Sequence, residues 1–159
     1  LHAETKRGHK RRRPRKARGV QMESGSGNGA YARVAVAAFA AALDPTLEEV
    51  NDIKTAVSEA VTNCIVHAYP NEVGKIYIQV RLFERGRMEI RIRDRGCGIA
   101  DVKKAREPLF TTRGGDRSGL GFSVMESFCD KVRVRSAVGK GTTVTLVKLL
   151  HGREASLEP

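Results

Sequence analysis

The chain has 159 residues, with 29 Lys and Arg against 18 Asp and Glu, a formal net charge of +11 and 40% hydrophobic residues. This length suits one domain with its own core and leaves no room for separate catalytic and substrate domains of ordinary size. The longest apolar run, around Ala35–Leu43, is mostly alanine and far short of the ~20 apolar residues of a spanning helix. No apolar stretch follows the basic start as in a secretory leader, so a cytoplasmic protein without membrane contact is expected.

The charge is unevenly placed. Lys6, Arg7, Lys10, Arg11, Arg12, Arg13, Arg15, Lys16 and Arg18 against Glu4 leave +8 on residues 1–19 and +3 on the remaining 140. Such a block repels itself and has little to bury, so residues 1–29, including the loop Glu23-Ser-Gly-Ser-Gly-Asn-Gly29, read as mostly disordered. At most Gly19–Glu23 could form a very short strand. The block could neutralise phosphates nonspecifically, but no ordered base-reading motif accompanies it, which argues against sequence-specific DNA binding.

The main domain is expected over residues 30–150, with 151–159 as a flexible tail. Residues 31–43 read as an alanine-rich helix stopped by Asp44-Pro45. Thr46 caps a longer helix, with Glu49 completing a capping box. Val50, Ile53, Val57, Ala60, Val61, Cys64 and Ile65 give that helix a packed face as far as about His67 or Ala68. Two alternating strands follow: Ile76, Ile78, Val80 and Leu82 lie on one face of the first, and Met88, Ile90 and Ile92 on one face of the second. A short helix near Val102–Glu107, a glycine-containing segment long enough to be a lid, and a helix from about Leu120 to Phe128 precede a last hairpin, Val132–Arg135 and Thr142–Leu149. Adjacent hairpins with intervening helices predict a two-layer α/β sandwich, a mixed, largely antiparallel sheet with helices on one face and charge on the other. Cys64, Cys97 and Cys129 show no C-x-x-C spacing, so neither a disulfide scaffold nor a structural zinc site is expected.

Four separated motifs carry chemistry. Glu59, Asn63 and His67 recur every four residues and project from one flank of the long helix. Asp94-Arg-Gly96-Cys-Gly98 ends a strand; there a carboxylate can accept from an exocyclic amine, and glycines allow close backbone approach. Ser118-Gly-Leu-Gly121 opens a helix whose free N–H groups suit phosphate. Gly139-Lys-Gly-Thr-Thr143 forms the last turn. Each is common alone; in this order they point to nucleotide binding.

With these motifs the chain resembles the ATPase and kinase superfamily of DNA gyrase B, Hsp90, sensor histidine kinases and MutL. It is most similar to the sporulation anti-sigma factors of the SpoIIAB type, which are serine kinases. The resemblance runs from about Ala30 to Leu149 and is closest at Ala32–Phe39, Leu43–Thr46, Lys54–Asn63, Glu107–Thr112 and Arg117–Phe122. It implies a Bergerat-type fold that binds ATP and Mg²⁺, a sigma factor partner, an anti-anti-sigma protein as serine substrate, and a homodimer. It also implies roles for residues: Glu59 as base, Asn63 as the Mg²⁺ ligand, and Asp94 on the adenine amine with Gly96, Gly98 and Thr142 around the ring. His67 falls to the magnesium or phosphate side, and Thr111, Thr112, Ser118, Gly119, Leu120 and Gly121 to the lid and phosphates. Arg117 is implied at the transferred phosphate and Arg33 at the partner surface. The lid is about one residue shorter than usual between Thr112 and Arg117. A nucleotide-gated sigma-binding module with little kinase activity is the alternative.

Overall fold

A computed structural model describes residues 13–25, 27–107 and 120–152. Strand β1 (Lys16–Glu23) leads into helix α1 (Asn28–Ala40) and helix α2 (Leu47–Asn63). The hairpin β2 (Lys75–Leu82) and β3 (Arg87–Asp94) comes next. Two short helices, α3 (Val102–Ala105) and α4 (Phe122–Phe128), precede the second hairpin, β4 (Lys131–Ala137) and β5 (Gly141–Leu149). The sheet order is β1-β2-β3-β5-β4, and every neighbouring pair is antiparallel.

The first strand corrects the sequence expectation. Eight residues, not five, pair with β2, from Lys16 opposite Leu82 to Glu23 opposite Lys75. Only Val20 and Met22 turn apolar side chains toward the core, with Met22 buried and Val20 packed against its rim. The ladder itself, rather than apolar burial, therefore accounts for most of this strand's order. Helix α1 likewise starts at Asn28, whose Nδ2 donates to the Glu23 carbonyl at 2.6 Å and closes the turn from β1.

Between sheet and helices lies one core. Ile76, Ile78, Val80 and Leu82 of β2 and Met88, Ile90 and Ile92 of β3 meet Ile53, Ala56, Val57, Ala60 and Val61 of α2. Ala32, Val36 and Ala40 recur at four-residue spacing along α1, where small side chains let it lie close to α2. Phe122 and Met125 of α4 seal the far end. The opposite sheet face carries the arginines, with exceptions to the expected wet pattern at Glu89, Thr145 and Val147. Glu89 is buried there, paired with Arg81 at 3.2 Å and Arg87 at 3.1 Å.

The start of α2 is tied to the chain's far end. Thr46 and Glu49 form the expected capping box, and Glu49 also accepts from His151 N at 2.7 Å and Gly152 N at 3.2 Å. Burial alone would raise the Glu49 carboxyl, but the backbone N–H groups of Thr46, His151 and Gly152 hold it below its ordinary value of 4.5. A lowered folded value means that the stabilisation is complete above the unfolded value and disappears as pH falls through the folded one. Glu49→Ala is accordingly expected to lower unfolding free energy by about 2 kcal/mol near neutrality, from the lost cap and two orphaned donors. Urea denaturation from pH 7 to pH 3 should show the gap to wild type closing only on the acid side.

Candidate functional site

The site forms where α2 ends against the ends of β3 and β5. After Asn63 the helix widens into a π-turn over Cys64–Ala68, a feature that often marks functional positions. The widening brings Asn63, Cys64, His67 and Ala68 together on one wall of a cleft. Ile92, Asp94, Gly98, Ile99, Thr142 and Val144 form the opposing side, and Leu120 and Phe122 close it. Its cavity volume is about 30 Å³.

Asp94 is the buried charge of this cleft. Its Oδ1 accepts from Gly96 N at 2.9 Å and Thr142 N at 3.2 Å, which fixes the carboxylate. Its Oδ2 is met by the Cys64 thiol at 3.6 Å, a weak donor. Burial, and next the charge of Asp94, push the Cys64 pKa upward, so the group stays a protonated thiol. Asp94 thus keeps one oxygen locked and the other only lightly engaged.

The neighbouring turn is held by further bonds. Tyr69 Oη accepts from Arg95 N at 2.6 Å and donates to the Lys75 carbonyl at 2.8 Å, joining the ends of β3 and β2. Ser136 Oγ accepts from Ile99 N at 2.7 Å and lies 2.7 Å from Thr142 Oγ1. Gly96 and Gly98 are required by the protein's own backbone: a Cβ at Gly96 would strike the Ala68 carbonyl, and one at Gly98, where φ is 75°, the Ala137 carbonyl. Motif spacing had assigned them to a ligand ring; here they first permit the strand end, the π-turn and the last hairpin to touch.

On the other side, Asn63 Nδ2 donates to the Leu120 carbonyl at 2.6 Å. Gly121 caps α4 with φ 63°, and its Cα lies so close to Glu59 that a Cβ would collide with that carboxylate. This contact places half-buried Glu59 beside Asn63 at the mouth of the cleft. Helix α4 starts at Phe122, two residues later than the sequence suggests, and spans only seven residues.

The structure therefore brings together Glu59, Asn63, His67, Asp94, Gly96, Gly98, Leu120, Gly121 and Thr142. Thr111, Thr112, Arg117, Ser118 and Gly119, with the expected lid, lie outside the described residues. Arg33 stands apart on α1, exposed between Tyr31 and Val34, which are 59% and 63% exposed. Sequence reading missed Tyr69 and Ser136 and took Cys64 only as core; a tyrosine directly before Pro70 and a serine ahead of a glycine turn are weak signals. Among the described residues no three His, Cys, Asp or Glu side chains assemble into a metal site. No helix among them is long and apolar enough to cross a membrane.

Residues 27–148 match the histidine kinase-like ATPase domain. An anti-sigma F factor of Caldanaerobacter subterraneus subsp. tengcongensis is 54% identical over 132 residues, covering 82% of this chain and 92% of that protein. One from Pasteuria penetrans is 52% identical over 134 residues, covering 83% and 89%. Among solved structures, the RsbU and RsbW domains of a Mycobacterium tuberculosis protein share the fold with TM-score 0.64 at 20% identity, over 85% of this chain and 32% of that one. With a matching domain over most of its length and relatives above half identity, this chain belongs to the anti-sigma F factor family, built on the histidine kinase-like ATPase domain.

Proposed function

We propose that the protein is a cytoplasmic, homodimeric anti-sigma factor that holds a sporulation-type sigma factor and transfers the γ-phosphoryl group of ATP to a serine of an anti-anti-sigma protein. The observation that carries the reading is the polarity of the cleft. Asp94 is buried with a lightly engaged oxygen, Asn63 and His67 line the same cleft, and most of its other lining residues are apolar. A flat base needs apolar walls and a fixed acceptor. Asp94 Oδ2 takes the adenine amine, while Thr142 and the thiol of Cys64 frame it. At about 30 Å³ the cavity is far smaller than the ~300 Å³ or more of ordinary ligand pockets. Entry of a nucleoside therefore requires Leu120 to withdraw and release the Asn63 amide.

Once released, Asn63 offers a carbonyl oxygen suited to a hard cation. Asn63 would hold Mg²⁺ through that oxygen, and the ion would supply charge that offsets the phosphates. Glu59, one turn earlier, accepts the proton of the attacking serine hydroxyl. Arg117, Thr111, Thr112, Ser118 and Gly119 are assigned to the phosphates on motif grounds, and Arg33 with its exposed apolar neighbours to the sigma factor.

The nonkinase alternative keeps the cleft and the sigma surface without transfer. Incubation with ATP, Mg²⁺ and the anti-anti-sigma protein separates the two, with mass spectrometry of the partner as readout. A phosphoserine that accumulates with time supports the kinase. A stable nucleotide-dependent complex with no phosphoserine would replace it by the gated binding module.

A further inference from the structure

We propose that the helix-free face of the sheet is a binding surface for single-stranded nucleic acid, gripped through its phosphodiester backbone. This face is distinct from the nucleotide cleft, which opens on the helical side. It forms a broad concavity lined by Arg81, Arg87, Arg91, Arg93, Arg133 and Arg135, with Glu84 and Glu89 as its acids. Glu89 is consumed by Arg81 and Arg87. Arg91, Arg93, Arg133 and Arg135 are exposed and form no ion pair among the described residues.

Register turns these four into a pattern. Arg91 and Arg133 both lie opposite Thr145, and Arg93 and Arg135 both lie opposite Thr143. The four therefore stand at the corners of a rectangle about 7 Å along the strands and about 10 Å across them, with threonine hydroxyls between. Unpaired cations repeated at strand spacing on two strands suit a polyanion whose phosphates they neutralise. Arg93 lies over the Tyr77 ring at 4.9 Å and Arg95 at 5.2 Å, an arginine and aromatic cluster of the kind bases stack upon. The face also continues into β1, whose strand directly follows the basic block of residues 6–15.

The test is fluorescence anisotropy of a labelled oligothymidylate with the full-length chain at graded salt. Changing Arg91, Arg93, Arg133 and Arg135 together to Gln should weaken binding at least ~30-fold and flatten the log–log salt slope by about 3, since each phosphate on a single strand contributes about 0.7. The milder pair Arg133→Gln and Arg135→Gln should give about half that change in slope. These side chains are exposed, so melting temperature and ADP binding should hold. Three results would overturn the proposal: unchanged binding in the fourfold variant with loss only when Arg11, Arg12 and Arg13 become Gln; displacement of the oligonucleotide by polyglutamate at equal charge, which marks an acidic protein surface; or a changed sedimentation mass in the fourfold variant, which marks contact with a second copy.

Discussion

Glu59→Gln is expected to reduce phosphate transfer by about three orders of magnitude, within the range of a lost general base, while ADP affinity stays within about twofold. The separation follows from the geometry. Glu59 is held against Gly121 at the mouth of the cleft and does not line its interior, so an isosteric amide keeps the packing and loses only the proton acceptor. Single-turnover transfer and ADP calorimetry on the same preparation read the two effects apart. Equal losses in both would make Glu59 a binding residue, and unchanged transfer would remove it from the chemistry.

Asp94 should give the largest effect on binding, and two substitutions divide its roles. Asp94→Ala orphans the N–H groups of Gly96 and Thr142 inside the protein, at a cost of about 1–3 kcal/mol each. Asp94→Asn can keep Oδ1 on those two donors but turns an amide N–H toward the cleft where an acceptor stood. The asparagine variant is therefore expected to melt near the wild type and yet bind adenine nucleotides about 10- to 100-fold more weakly, the worth of one charge-assisted bond. If both variants bind ADP like the wild type, the carboxylate is only a structural clamp. If both unfold, the clamp dominates, and cleft chemistry must be read from Cys64→Ala, which leaves the two backbone bonds intact.

Much of the fold was legible because burial is periodic. The 3.6-residue pattern and capping box of α2, and the two-residue alternation of β2 and β3, each named the face that is buried. Strand β1 was hidden because its order comes from pairing with β2. Lys16-Ala-Arg-Gly-Val-Gln-Met-Glu23 carries only two core-facing apolar residues, and its charge resembles that of a solvated block. Glu89 misled for a related reason: alternation puts it on the wet face, but Arg81 and Arg87 fold over it. For the cleft, four-residue spacing found Glu59, Asn63 and His67, while the π-turn that swings Cys64 toward Asp94 has no signature in a helical period. The hydrogen bonds of Tyr69 and Ser136 join segments distant in the chain, which no local pattern can reveal.

The most direct test of an adenine-nucleotide cleft is isothermal titration of the wild-type chain with ATP and with GTP, each with Mg²⁺. In the proposed reading the carboxylate of Asp94 would accept the amine of adenine and repel the carbonyl oxygen that guanine places at the same edge, so ATP should bind at least ~100-fold more tightly than GTP. Equal affinity for the two, or no binding of ATP, would contradict the account.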